Sequence, residues 1–210
     1  MICIIPARGG SKRLPGKNLL KLDGEYMINR VIQIANNSEL FTDVIVSTDS
    51  EQIADIVKGA TVSMRPEQIV GDIPEDKVLK WTAYKYNSQE FCRIYPFAVL
   101  LTPERLREGY KQYTWGGGAI LECQKYGHPP ERRFTRRGGY KQPRLISLPT
   151  EHIEETFHDA GTYMFTHIDE LNKPLSKRNI KWEPVKGWEA QDLDTWDDWQ
   201  MLKIKWYVRA

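Results

Sequence analysis

The chain has 210 residues, enough for one globular domain with a continuous core, and its 40% hydrophobic and 28% charged content is that of an ordinary soluble protein. A formal net charge of +2 is too small to mark a nucleic-acid or membrane binder by itself, so any argument for an anionic ligand has to be local. No apolar run approaches bilayer length, and Ile2 to Ile5, ahead of Pro6 and without a basic leader, is far shorter than a secretory segment, so a cytoplasmic protein away from membranes is expected.

Ile2 to Ala7 reads as a strand ending in a Gly-rich loop, and Tyr26, Met27, Val31, Ile34 and Ala35 follow at helical spacing. Asp43 to Thr48 reads as a second strand, and Ser50 as the N-cap of a helix with Ile53, Ala54 and Val57 on one face. A strand near Thr61 to Met64, a helix near Pro74 to Ser88, a strand from Phe91 to Leu101 and a helix from Pro103 to Thr114 continue the alternation. Such a series predicts an α/β fold, a mainly parallel sheet with helices on both faces, and a ligand site beyond the carboxyl ends of the strands.

After a strand at Ala119 to Cys123 the alternation breaks into a Pro-, Arg- and Gly-rich stretch, 127–149, read as a small β excursion inserted into a single domain spanning 1–210, with Arg144 to Leu148 as one of its strands. Phe157 to Phe165 and Lys186 to Asp192 read as returning strands. Thr195 then opens a terminal helix, with Asp198 as its capping-box partner. Cys3, Cys92 and Cys123 lie far apart without zinc spacing and read as core residues. The tryptophans concentrate late, at Trp182, Trp188, Trp196, Trp199 and Trp206 among others, which suits packing or a subunit interface better than ligand stacking.

The opening loop carries the strongest chemistry. Between Arg8 and Asn18 it holds three glycines and the cations Arg8, Lys12, Arg13 and Lys17, with no acidic residue. Directly after a strand, such a loop can turn backbone N–H groups to a phosphate while its side chains neutralise charge, as a nucleoside triphosphate requires. It is not a Walker loop, because Gly10 and Gly16 enclose five residues and Asn18 stands where a hydroxyl residue belongs. The dinucleotide fingerprint is absent as well.

Near the other end, Asp192 and Asp194 lie two apart in an extended segment, so their carboxylates can project to one side. They can hold Mg²⁺ with water and phosphate oxygens, or they can be solvated acids ahead of a helix. The run Glu131 to Arg144 is the most basic segment after the opening loop; it either guides an anionic sugar or nucleotide or forms a solvated hairpin. His128, His152, His158 and His167 have no metal spacing, and His158 beside Asp159 is the one nearest to a candidate site.

The string IPARGGSKRLPGKN closely resembles the signature of the cytidylyltransferases that make CMP-activated sialic acids, including the bacterial pseudaminic and legionaminic acid enzymes, and the resemblance continues through Ser47-Thr48-Asp49, Arg65-Pro66, Asp159-Ala160-Gly161 and Gln191-Asp192-Leu193-Asp194-Thr195. Among these relatives the pseudaminic acid enzymes look nearest, on Ile94-Tyr95-Pro96 and the last two stretches. The resemblance implies a Rossmann-like nucleotidyltransferase fold, Mg²⁺ at Asp192 and Asp194, a homodimer, and transfer of CMP from CTP to an acidic nine-carbon sugar. It implies catalytic roles for Arg8, Lys17 and Asp194, and nucleotide contacts from Ala7, Arg8, Gly9, Gly10, Ser11, Lys12, Lys17, Asn18 and Arg65. Sugar contacts would fall to Tyr95, Arg133 and Asp159. Arg13-Leu14-Pro15-Gly16-Lys17 is also similar to CMP-Kdo synthetases, the second reading, and a catalytically silent nucleotide-binding protein is the third. Two stretches leave the sialic acid pattern: Asp72 to Asp76 replaces small hydroxyl residues, and Tyr95 to Leu101 replaces a polar run.

Overall fold

The computed structural model describes residues 1–209. In chain order its elements begin with β1 (Ile2–Ala7), a short antiparallel pair β2 (Lys21–Leu22) and β3 (Glu25–Tyr26), α1 (Met27–Asn37), β4 (Asp43–Thr48), α2 (Glu51–Ile56) and β5 (Thr61–Met64). Next come α3 (Glu75–Lys85), β6 (Glu90–Ile94), α4 (Pro103–Gly116), β7 (Ala119–Lys125), β8 (Phe157–His167), α5 (Ile168–Asn172), β9 (Ile180–Pro184) and α6 (Trp196–Arg209). Seven strands form one sheet in the order β5-β4-β1-β6-β8-β7-β9, with β8 antiparallel to both its neighbours and every other pair parallel.

The sheet is covered on both faces, and the alternation along β1 shows how. Cys3, Ile5 and Ala7 enter the larger core, with apolar residues of α1, α4 and α6; Ile2 and Ile4 enter a smaller one with Leu79 and Ala83 of α3 and Ile168 and Leu171 of α5. The chain runs outward from β1 through β4 to β5 and then returns to β6 on the other side of β1, so the order reverses between β1 and β6. A crevice at the carboxyl ends of the strands is the geometric consequence.

Three expected strands differ. The strand expected to reach Leu101 ends at Ile94, because Pro96 supplies no N–H and restricts the residue before it. Residues 95–101 turn instead, with Ala98 N–H on the Tyr95 carbonyl and Leu101 N–H on that of Ala98, and Phe97 to Leu101 are buried in the core without belonging to the sheet. The returning strand is Ile180–Pro184, an edge strand whose residues are half-buried or exposed, whereas 186–192 is irregular. Arg144 to Leu148 is not a strand, since Pro143–Leu145 forms a 3₁₀ turn; among the described residues the stretch between β7 and β8 has one isolated bridge, Phe134 to Tyr140. The capping box at the last helix is present in both directions, Asp198 N–H to Thr195 Oγ1 at 3.2 Å and Thr195 N–H to Asp198 Oδ2 at 2.8 Å. All three cysteines are buried and unpaired. Among the described residues no helix is long and apolar enough to cross a membrane.

Candidate functional site

A cleft of about 390 Å³ opens at the switch point, and its lining comes from the ends of several strands. Arg8, Lys17, Asn18, Arg65, Tyr95, Asp159, Asp192 and Asp194, all expected from the sequence, line it together, as does Arg13. Ala7 lies beneath, fully buried at the end of β1. Arg133 is not brought to the cleft; it sits exposed in the stretch between β7 and β8, its guanidinium donating to the Pro130 carbonyl at 2.8 Å. His158 contacts the Asp159 carbonyl at 2.8 Å and packs on Tyr126, and does not itself line the cleft.

The loop after β1 is fixed by its own chain and by the ends of β4 and α2. Leu14 is fully buried and anchors its middle. Gly9 donates its N–H to Asp49 Oδ1 at 2.7 Å, and a Cβ there would stand 2.9 Å from Ser50 Cβ, so only glycine lets the loop lie this close to the start of α2. Asn18 is buried; its Nδ2 donates to the Arg8 carbonyl at 2.9 Å while its Oδ1 has no partner. An unpaired buried acceptor at a cleft wall suits the hydroxyl or amino group of a ligand. Arg65, at the end of β5, is buried and donates to Ser47 Oγ at 3.2 Å and to its carbonyl at 2.7 Å. Burial pulls its pKa down, with Asp49 opposing that shift.

Acidic side chains already engage the loop's cations. Asp72 accepts from Arg8 at 3.0 Å and Lys12 at 2.8 Å, and those two hydrogen bonds hold its pKa low. Asp194 takes Arg13 at 2.7 Å and Lys17 at 3.3 Å, while Lys17 also donates to the Leu193 carbonyl at 2.7 Å and lies over the Phe97 ring. Four cations gathered by two carboxylates, one of them on the segment 192–194, make a site organised for an anion that would displace those contacts.

Asp192 and Asp194 also fit a hard cation. The pKa of Asp192 is raised, first by burial and then by the charge of Asp194, the strain that a divalent cation relieves. The close seating of Asp192 on β8 depends on Gly161, which has φ +68° and whose added Cβ would meet Asp192 Cβ at 3.1 Å. Among the described residues no group of three or more His, Cys, Asp or Glu side chains is arranged to hold a metal, so Mg²⁺ at this pair would complete its shell with water and phosphate oxygens, its common habit.

Glu75 and Arg93 were not singled out from the sequence. Glu75, in the first turn of α3, accepts from Tyr95 Oη at 2.9 Å and lines the cleft. Arg93, on β6, is buried behind Tyr95, 3.8 Å from its ring centroid. Burial alone would lower its pKa, but Tyr95, Glu75 and Asp159 outweigh that and raise it. A single Arg inside an apolar strand gives no local sign of what it faces; the stretch around Glu75 had signalled only a departure from the resembled pattern.

In sequence the chain is similar to pseudaminic acid cytidylyltransferase of Campylobacter jejuni, 26% identical over 99% of this chain and 96% of that protein. It is 32% identical to 3-deoxy-manno-octulosonate cytidylyltransferase of Acaryochloris marina over 80% of this chain and 74% of that one. In fold it is similar to CMP:2-keto-3-deoxy-manno-octonic acid synthetase solved in complex with CTP, with a TM-score of 0.75, 18% identity, and coverage of 100% of this chain and 99% of the other. The profile of the cytidylyltransferase family matches residues 2–107, and with that match over half of its length the chain belongs to the cytidylyltransferases and is a nucleotidyltransferase.

Proposed function

We propose that the chain transfers CMP from CTP to an acidic nonulosonic sugar, pseudaminic acid or a related sialic acid, releasing pyrophosphate with Mg²⁺ as cofactor. The observation that carries this reading is the meeting of the basic loop with Asp192 and Asp194 at one cleft, through Lys17 and Arg13 on Asp194. The acceptor hydroxyl attacks the α-phosphorus of CTP in line, and pyrophosphate leaves. Arg8, Lys12, Arg13 and Lys17 neutralise the triphosphate, Gly9, Gly10 and Ser11 let the backbone approach it, and Arg65 and the free Oδ1 of Asn18 hold the nucleoside. Mg²⁺, held by Asp192 and Asp194, supplies charge neutralisation on the phosphate oxygens. Tyr95 and Asp159 face the acceptor. The homodimer implied by the resemblance belongs to the same proposal, and the indoles of Trp182, Trp188 and Trp196, 60%, 59% and 54% exposed, offer apolar surface for it that light scattering can test.

Kdo is the competing acceptor, favoured by the 32% identity to a 3-deoxy-manno-octulosonate enzyme. Pyrophosphate release from CTP and Mg²⁺ with a panel of nonulosonic acids and Kdo decides between them. Release with pseudaminic, legionaminic or N-acetylneuraminic acid is expected; release with Kdo alone overturns the first choice, and CTP binding without release for any sugar overturns catalysis itself.

A further inference from the structure

Arg93 is 3% exposed, yet its surroundings do not satisfy it. Its Nε stands 3.6 Å from Glu75 Oε1 and its Nη2 stands 3.6 Å from Asp159 Oδ2, both beyond a good hydrogen bond. Nε and Nη1 have no acceptor, and neither has Glu75 Oε1 a donor. The guanidinium carbon lies 3.8 Å from the Tyr95 ring centroid, and Tyr95 Oη ties that ring to Glu75 Oε2. Asp159 is tied in turn to the backbone, its Oδ1 accepting Gly161 N–H at 2.7 Å.

A guanidinium that makes few hydrogen bonds is a poor choice for stability, because an apolar residue would avoid its desolvation. What it does instead is geometric. Glu75 comes from α3, Asp159 from β8, and Tyr95 from the turn after β6, so three separate elements converge on one buried cation. All three of those partners line the cleft, while Arg93 does not. Without it Glu75 and Asp159 would lose the one cation that stands within 4 Å of each among the described residues. Glu75 lies in the stretch Asp72 to Asp76 and Tyr95 opens the stretch Tyr95 to Leu101, the two that leave the resembled pattern, while Asp159 opens the Asp-Ala-Gly stretch that keeps it.

We propose that Arg93 is the positioning residue of the acceptor wall: from behind the cleft it holds Glu75, Tyr95 and Asp159 as one set of acceptors for the hydroxyl or amide N–H groups of the acceptor sugar. The proposal rests on the cytidylyltransfer to a sugar argued above. The wall then reads the donor groups of the sugar, whereas the sugar carboxylate is left to the cationic side of the cleft. Tyr95, with its hydroxyl hydrogen committed to Glu75, presents only an acceptor oxygen to the ligand.

The test compares wild type with Arg93→Met, which keeps the length without the charge, and Arg93→Lys, which keeps the charge without the planar fork. CTP affinity is measured without acceptor, and acceptor KM and kcat are measured with whichever sugar the wild type accepts, nonulosonic acid or Kdo. The expected result is CTP affinity within about twofold of wild type and an acceptor KM raised about tenfold or more in Arg93→Met, with Arg93→Lys between, as displacement of substrate-positioning groups implies. A merely structural role predicts instead a lower melting temperature and parallel losses for CTP and acceptor, and that pattern, or an unchanged acceptor KM, overturns the proposal. If Arg93→Met does not fold, the same split in Arg93→Lys decides. If the wild type accepts no sugar, the functional reading has failed on wild-type data alone, and a crystal structure of the variant decides about Arg93: Tyr95 and Glu75 displaced from the cleft support it, and both in their wild-type places refute it.

Discussion

Asp194→Ala separates the two tasks assigned to that carboxylate, because it should weaken one and strengthen the other. Asp194 pairs with Arg13, whose side chain is 70% exposed, and with Lys17, which is 17% exposed. The exposed pair contributes about 0–1 kcal/mol, and Lys17 keeps its bond to the Leu193 carbonyl and its place over Phe97 when the carboxylate goes. The cap at α6 is also kept, since Asp194 joins it through its backbone N–H to Asp198. The melting temperature should therefore fall by no more than about 2–4 °C, the shift that ~1 kcal/mol makes in a domain of this size. In EDTA, CTP should bind as well as to wild type or up to about fivefold more tightly, because two cations are released toward the triphosphate and ~1 kcal/mol is about that factor. With Mg²⁺, turnover should drop by about 10²–10³ or more, as removal of a transition-state charge stabiliser does. Calorimetric CTP titration in EDTA and pyrophosphate release in Mg²⁺ measure the two halves. Turnover within about tenfold of wild type would refute the cation assignment, and weaker CTP binding in EDTA would refute the view that Asp194 competes with phosphate.

Asp72→Asn removes the other internal competitor, so CTP KM should fall, by up to about fivefold for an exposed ion pair; a rise in KM would mean that Asp72 contacts the ligand itself. Gly161→Ala forces a side chain into φ +68° and against Asp192, so kcat should drop about tenfold or more in Mg²⁺ while CTP affinity in EDTA is kept; unchanged kcat would show that Asp192 does not need this seat. Asp23→Gly keeps the positive φ of that turn but removes the acceptor for Trp206 Nε1 and Tyr207 Oη, both at 2.6 Å, so limited proteolysis should reach α6 sooner with activity retained; unchanged protection would leave the clasp without a role.

The part of the cleft that the opening loop lines was legible in the sequence because its information is local. Arg8, Gly9, Lys17 and Asn18 lie within eleven residues, and a loop that follows a buried strand can hardly point elsewhere than beyond the strand's carboxyl end. Asp192 and Asp194 were legible as a pair for the same reason, although the partnership of Asp194 with Lys17 spans 177 positions and rests on the fold. The errors fell where an element's identity depends on neighbours in space. Tyr95 to Leu101 is apolar enough to be a strand, but Pro96 ends the ladder and the core still takes the side chains. Ile180–Pro184 has no buried residue and forms a strand only because β7 offers it an edge.

The half of the cleft proposed for the acceptor follows the opposite logic. Arg93 touches Glu75, 18 positions before it, and Asp159, 66 positions after it, and the second contact exists because β8 runs against β6 and sets Arg93 opposite Met164. No window of sequence contains that set, and strand periodicity treats a lone arginine there as a defect in an apolar run. In the function proposed above, the nucleotide meets a loop that can be read in one piece, whereas the sugar meets side chains drawn from several elements onto one buried charge. The stretches that depart from the resembled pattern, around Glu75 and Tyr95, are the ones that close on Arg93. Substrate choice in this chain is therefore to be sought in that assembly: changes confined to the opening loop should alter the use of CTP, and changes at Arg93 should alter the choice of acceptor.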